Sequence, residues 1–261
     1  MKITVLGASS GFGREFVKLL AHKDNEITAI SNDGQSLEVL KEHISKNNAI
    51  CIETVCKDLT VAADLDYICE RNTDCDFMIN SAGGGKLGNI TSLSFEEEQY
   101  YIELNVNAFH KITKTALLKM IAKRRGAMLN VCSAASFSPL PNFSVYAAAK
   151  AFSGSYTLSL AREAEKYGVR VMAMCPGPTR TNFLSQAHYD AIQKKYGSLP
   201  IFMAPDKIAK RALIKFNEGK IIYIPGPFNK MNYVLDRIAP RKLVNDIIYK
   251  MLDGLGDIGE E

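Results

Sequence analysis

At 261 residues, 47% of them hydrophobic, the chain fits one large domain or two small ones and can bury an ample core. The formal net charge of +4 is mild, and the densest basic cluster, Lys123-Arg124-Arg125, precedes Gly126 as a helix end does, so no nucleic-acid partner is expected. Six cysteines (51, 56, 69, 75, 132, 175) never fall at C-x-x-C spacing and the four histidines form no H-x-x-H group, which argues against a metal site or disulfide framework and for a reducing, cytoplasmic setting.

Only Met1 and Lys2 precede the first apolar run, at 3–6, which is too short for a secretory signal. No apolar stretch approaches the ~18 residues of a membrane span, so integral membrane association is not expected. Apolar runs at 3–6, 27–30, 50–55, 77–79, 127–131, 169–174 and 221–224 are expected as strands. Most are continuous rather than alternating, as in parallel sheets covered on both faces. Helical patterns lie between them at 12–22, 36–46, 61–71, 95–122, 145–167 and 205–217. This alternation predicts an α/β fold, a doubly wound parallel sheet in a single domain with helices on both faces. Ser94 and Glu97 in SFEE form a capping box at the start of the fourth helix, and Pro205 suits the first turn of its own.

The first strand runs into VLGASSGFGREF, with Gly7, Gly11 and Gly13. Glycines after a first strand let the backbone approach a pyrophosphate, and the following helix N-terminus favours its charge. A NAD-selective site has a carboxylate at the end of the second strand. Here Ser31 and Asn32 occupy that place and Asp33 comes slightly late. Arg14 could pair with a 2′-phosphate or be a solvated first-turn residue. The fourth strand ends in Asn80-Ser81-Ala82-Gly83, Asn105 falls inside a long helix, and the fifth strand ends at Ser133. Tyr146 and Lys150 are one helical turn apart in YAAAK, and the sixth strand ends in Pro176, Gly177 and Thr181.

Together GASSGFG, NSAG, Asn105, Ser133, YAAAK and PGPTRT resemble the classical short-chain dehydrogenases/reductases, in order, from residue 5 to about 181. The resemblance implies a Rossmann-like domain, carbonyl/alcohol redox chemistry with NAD(P)(H), and a catalytic tetrad of Asn105, Ser133, Tyr146 and Lys150. It places the cofactor against Gly7, Ser9, Ser10, Gly11, Phe12, Gly13 and Arg14, then Ser31 and Asn32. Asp58 and Leu59 follow, with Asn80, Ala82 and Gly83. Tyr146, Lys150, Pro176, Gly177, Thr179 and Thr181 complete the set. NADP is expected over NAD. Asp58 would meet the adenine amine or else cap the next helix. Leu6 replaces the family's usual threonine, removing a hydroxyl that could tie the glycine loop to the NSAG turn; Ser81 replaces an asparagine.

A phenol with a pKa near ~10 is a poor base at neutral pH, and a cation one turn away should lower that value. Tyr146 would then exchange the alcohol proton, Ser133 would polarise the carbonyl, and Lys150 would hold the nicotinamide ribose. Asn105 would seat a water beside Lys150, or be a buried packing amide. Phe137, Leu140, Phe143 and Leu87 are expected to floor an apolar substrate pocket, under a lid at about 182–204 that carries Phe183, Leu184, Ile201, Phe202 and Met203. Residues 1–228 form the expected catalytic domain and 229–261 an amphipathic tail. The tail's stripes are Met231, Val234, Leu235 and Ile238, then, after Pro240, Leu243, Val244, Ile247, Ile248 and Met251. It would pack on protein, or else touch a lipid surface. A homodimer or homotetramer is expected through helices 95–122 and 145–167, with Tyr156, Leu158 and Leu160 supplying apolar surface. The rival reading is a noncatalytic NADP(H)-binding sensor on the same fold.

Overall fold

The structure, a computed structural model, describes residues 1–48, 50, 52–181, 183 and 202–252. Most of the expected lid, with Leu184 and Ile201, lies outside them, as do Cys51, His188 and the tail beyond Leu252. Seven strands form one parallel sheet: β1 (Lys2–Leu6), β2 (Glu26–Ser31), β3 (Glu53–Cys56), β4 (Phe77–Asn80), β5 (Gly126–Val131), β6 (Val169–Met174) and β7 (Ile222–Tyr223). Their order is β3-β2-β1-β4-β5-β6-β7. The chain reverses direction across the sheet between β1 and β4, which opens a crevice at the carboxyl ends of the strands.

Helices cover both faces, as the continuous apolar runs required. Alternate strand residues point to opposite sides. On one side Ile3, Val5, Ile79 and Leu129 meet Phe16 and Val17 of α1 (Gly11–Leu20), Leu37 and Ile44 of α2 (Gly34–Asn48), and Ile208 and Phe216 of α7 (Pro205–Asn217). On the other, Leu6, Met78 and Met128 meet Ile68 of α3 (Ala62–Arg71), Ile112 and Met120 of α5 (Phe109–Ala122), and Ala161 of α6 (Ser144–Glu165). Fully burying such side chains contributes roughly 1.5–3 kcal/mol each.

Several boundaries differ from expectation. β3 starts only at Glu53, where pairing with Thr28 of β2 begins; Ile52 is buried in the core just before it. The helix expected at 95–122 is not continuous. α4 (Phe95–Ile102) starts at the Ser94–Glu97 capping box, gives way to a π-helical segment (Glu103–Ala108), and resumes as α5. Asp58 does not cap α3, whose N-cap is Val61; its carboxylate accepts the Thr60 amide and hydroxyl at 2.9 and 2.7 Å. The tail forms α8 (Pro227–Ile238) and α9 (Arg241–Leu252), parted at Pro240. Among the described residues no helix is long and apolar enough to cross a membrane, and no cluster of His, Cys, Asp and Glu could hold a metal ion.

Candidate active site

A cavity of about 660 Å³ spans the carboxyl ends of β1, β2, β4, β5 and β6. One end is the glycine loop. Gly7 has φ +71°, and a Cβ there would stand 2.7 Å from the Ser81 carbonyl oxygen; a Cβ on Gly13 would lie 2.1 Å from the Gly7 oxygen. Only glycine permits this fold of the loop onto itself. The loop is tied down despite Leu6: that side chain is buried in the core, and the Ser81 amide donates to the Leu6 carbonyl at 3.1 Å. Backbone therefore supplies the tether the missing hydroxyl would have given. Ser10 caps α1 with no side-chain hydrogen bond, so the first-turn N–H groups face the cavity without a protein cap. This is the cradle a pyrophosphate needs.

Beside it, the Ser31 hydroxyl donates to that of Ser9 at 2.8 Å, and the Arg14 guanidinium donates to the Ser9 carbonyl. Arg14 Nε is buried with no protein partner. Asp33 instead accepts the Ser36 amide at 3.0 Å in the first turn of α2, and the Ser36 hydroxyl together with that amide holds its carboxyl below the usual range. Lys57, which the sequence reading passed over, also lines the cavity and bonds Asp64 at 2.7 Å.

At the other end Ser133, Tyr146 and Lys150 converge. Ser133 leaves β5 and caps a short 3-10 turn, accepting the Ala135 amide at 3.1 Å. Tyr146 and Lys150 project from the first turns of α6; the ammonium lies 5.7 Å from the phenol ring centroid and reaches the Val131 carbonyl at 3.4 Å. Phe143 stacks on the Tyr146 ring at 4.3 Å and Phe183 tilts against it at 5.1 Å. This apolar cover corrects the expected acidity. Burial pushes the Tyr146 phenol up to about 12, and the Ser133 hydroxyl pulls it down only in part. Burial also lowers the Lys150 ammonium, opposed by the neighbouring Cys132 and Cys175 thiols.

Asn105 lies in the π segment, 2% exposed, and does not open onto the cavity. Its Nδ2 donates to the Gly84 carbonyl at 2.9 Å and the Tyr101 carbonyl at 2.8 Å, and its Oδ1 accepts the Gly84 amide at 3.3 Å. A Cβ on Gly83 would meet Asn105 Oδ1 at 2.8 Å and Lys150 Nζ at 3.0 Å, so both side chains flank the open side of Gly83. Gly7, Ser9, Ser10, Gly11, Phe12, Ser31, Asn32, Asp58, Leu59, Ala82, Gly83, Pro176, Gly177, Thr179 and Thr181 line the cavity. Gly13, Arg14 and Asn80 stand behind that lining. Thr181 packs on Gly11, closing the PGPTRT loop over the glycine loop.

The remaining walls are apolar: Leu87, Phe137, Leu140, Phe143, Phe183 and Phe202, as expected. The sequence reading missed that the tail supplies a wall as well. Asn229, Asn232, Tyr233 and Asp236 of α8 and Ile248, Met251 and Leu252 of α9 line the cavity. Asn229 packs on Gly177, Tyr233 sits edge-on to Phe137 at 4.6 Å, and Asn142 donates to the Leu252 carbonyl at 3.3 Å. On α8 the apolar stripe gave no sign of this, because its contacts come from the polar face; on α9, Ile248 and Met251 belong to the expected stripe.

The chain as a whole has relatives among known proteins. A sequence model described as short chain dehydrogenase matches residues 1–191. The chain belongs to the short-chain dehydrogenase family. It is 27% identical over 226 residues to carbonyl reductase family member 4 of Xenopus laevis, covering 85% of this chain and 95% of that protein. Mouse 17-beta-hydroxysteroid dehydrogenase type 3 is also 27% identical, over 176 residues, 66% of this chain and 58% of that one. Among solved structures, a short-chain dehydrogenase from Sphingobium yanoikuyae in complex with NADPH superposes with a TM-score of 0.80 at 25% identity, covering 93% and 94% of the two chains. This short-chain dehydrogenase is thus a nicotinamide-dependent oxidoreductase, and its doubly wound sheet is the Rossmann-like fold expected of it.

Proposed function

We propose that this enzyme prefers NADP(H) and interconverts an apolar ketone or aldehyde with its alcohol, using Asn105, Ser133, Tyr146 and Lys150. The observation that carries the reading is the Ser133–Tyr146–Lys150 cluster under an aromatic roof, in one cavity with an uncapped glycine-rich helix N-terminus. The bound nicotinamide supplies or accepts the hydride. Ser133 Oγ donates to the substrate oxygen and fixes its position. Tyr146 Oη, kept protonated by burial, gives its proton to that oxygen during reduction and takes it back during oxidation. Phe143 and Phe183 cover the ring and reduce its contact with water. Lys150 stays behind the ring as a cation whose charge favours the phenolate when it forms. Asn105 clamps the Gly83-Gly84 backbone against Lys150, and its Oδ1 flanks the same glycine as the ammonium, where a bridging water would complete a proton path.

Preference for NADP rests on Ser31 and Asn32 at the β2 end, which place no carboxylate there, and on Asp33 being engaged by α2. The Sphingobium neighbour binds NADPH, which agrees with this choice. Comparing kcat/KM for NADPH and NADH with one apolar ketone tests it: NADPH should be favoured at least about tenfold, and an NADH preference overturns the assignment. A sensor without catalysis would instead bind NADPH and turn over no carbonyl compound in a broad panel.

A further inference from the structure

The helix α8 is inside out for a helix that merely packs on a body. Asn229, Asn232, Tyr233 and Asp236, spaced i, i+3, i+4 and i+7, face the cavity, whereas Met231, Val234, Leu235 and Ile238 are exposed. Packing alone would favour the reverse; Asn229 already donates to the Pro225 carbonyl at 2.8 Å, which leaves Asn232 and Asp236 of the inward stripe to meet a polar partner in the cavity. Ser138, five residues beyond Ser133 on the same loop, donates its hydroxyl to Asp236 Oδ2 across 98 positions of chain. Among the described residues no cation pairs with Asp236, and Ser138 is the donor that reaches it. A carboxylate offers about four acceptor positions, and half-buried Asp236 keeps capacity beyond the Ser138 bond where it lines the cavity with Phe137, Tyr233 and Ile248.

The geometry points to Asp236, held by Ser138, as the distal end of the substrate site. There it accepts a hydrogen bond from a hydroxyl or ammonium on the end of an otherwise apolar substrate, remote from the carbonyl at Ser133 and Tyr146. This rests on the redox reading above and names its substrate class: apolar ketones or alcohols bearing a second, distal hydrogen-bond donor. An apolar pocket discriminates weakly between substrates, whereas an acceptor that the bound substrate itself seals from water discriminates strongly against an analogue that leaves it unpaired.

The test uses matched ketones with short and long bodies: 4-phenylcyclohexanone against 4-(4-hydroxyphenyl)cyclohexanone, and 5α-androstan-17-one against its 3β-hydroxy and 3β-amino derivatives. In at least one set the wild type should favour the donor-bearing member about tenfold or more in kcat/KM, and the better of hydroxyl and amine identifies the donor. Asp236→Asn, which keeps shape and can still bond Ser138, should shrink that ratio to within about twofold. If Asp236 only latches the tail to the loop, Asp236→Asn and Ser138→Ala will slow both members alike and leave the ratio intact, overturning the proposal. Absence of any preference in the wild type overturns it without a variant. Calorimetric binding of the same compounds with NADP⁺ present separates the two readings. Asp236-dependent binding without turnover of any ketone would sink the redox reading and leave the subsite standing; turnover without preference would do the opposite.

Discussion

Tyr146, the proposed proton donor, lines the cavity with a phenol that burial holds protonated at neutral pH. Removing its hydroxyl by Tyr146→Phe keeps the stacking on Phe143 and should lower turnover by on the order of 10²-fold or more, with NADPH affinity close to wild type. Retained ketone reduction in this variant would end the assignment. The pH profile follows from burial. With the phenol at about 12, the proton donor is present throughout the neutral range, so kcat/KM for reduction should stay level from pH 6 to about 9. Oxidation needs the phenolate, whose fraction grows about tenfold per pH unit below the pKa, so kcat/KM for the alcohol should climb without a plateau to about pH 10. A plateau near neutrality would mean that Lys150, not burial, sets the acidity. The Tyr146–Lys150 pair was legible in sequence because i and i+4 share a helix face. The direction of the pKa shift was not, because it depends on how Phe143, at the N-cap of α6, and Phe183, from a distant loop, fold over the ring. At the β2 end, Ser31→Asp should place a carboxylate against a 2′-phosphate and move kcat/KM toward NADH by at least about tenfold.

Among the elements, the strands were legible because a sheet covered on both faces demands short, unbroken apolar runs, and β1, β4, β5 and β6 have them. The π-helical break in the 95–122 pattern was not legible. One wide turn shifts the register of the helix without changing its polarity, so the sequence reads as continuous on either side. What the turn achieves is clear from Asn105. In a π turn the amides reach back five residues, and the Tyr101 carbonyl, four residues before Asn105, takes its Nδ2 as well. The same side chain closes a reciprocal pair with Gly84. Asn105→Ala should strand these buried backbone groups at a cost of about 1–3 kcal/mol, read as a fall in Tm. Because Asn105 and Lys150 both flank Gly83, kcat should fall as well while NADPH still binds. A Tm unchanged from wild type would show that the clamp is not structural.

For the molecule as a whole, the apolar surface must be covered by something. Leu158 and Leu160, expected at a subunit contact, are partly spent against the core. Tyr156 remains available in an aromatic group with Phe152 and His110, which joins α5 to α6 at 5.3–6.4 Å. Light scattering should therefore show more than one 28.8 kDa subunit, and a monomer would refute the contact. The exposed residues of α8 and α9 fit a protein partner better than lipid. A helix lying on a membrane separates an apolar face from a basic one. On α8 the separated polar stripe faces the cavity, while Lys230 and Arg237 fall in line with Val234 on the outer side, and Arg237 is drawn over the Tyr233 ring at 4.4 Å. Pro240 then limits each stripe to about three turns, and residues 229–252 carry five basic and two acidic side chains, net +3, which gives only a weak pull toward an anionic surface. In flotation with anionic liposomes at ~0.15 M salt the protein should stay in the soluble fraction. Co-flotation that disappears in an Ile238→Glu, Leu243→Glu double variant would show instead that the outer face of the tail lies on lipid.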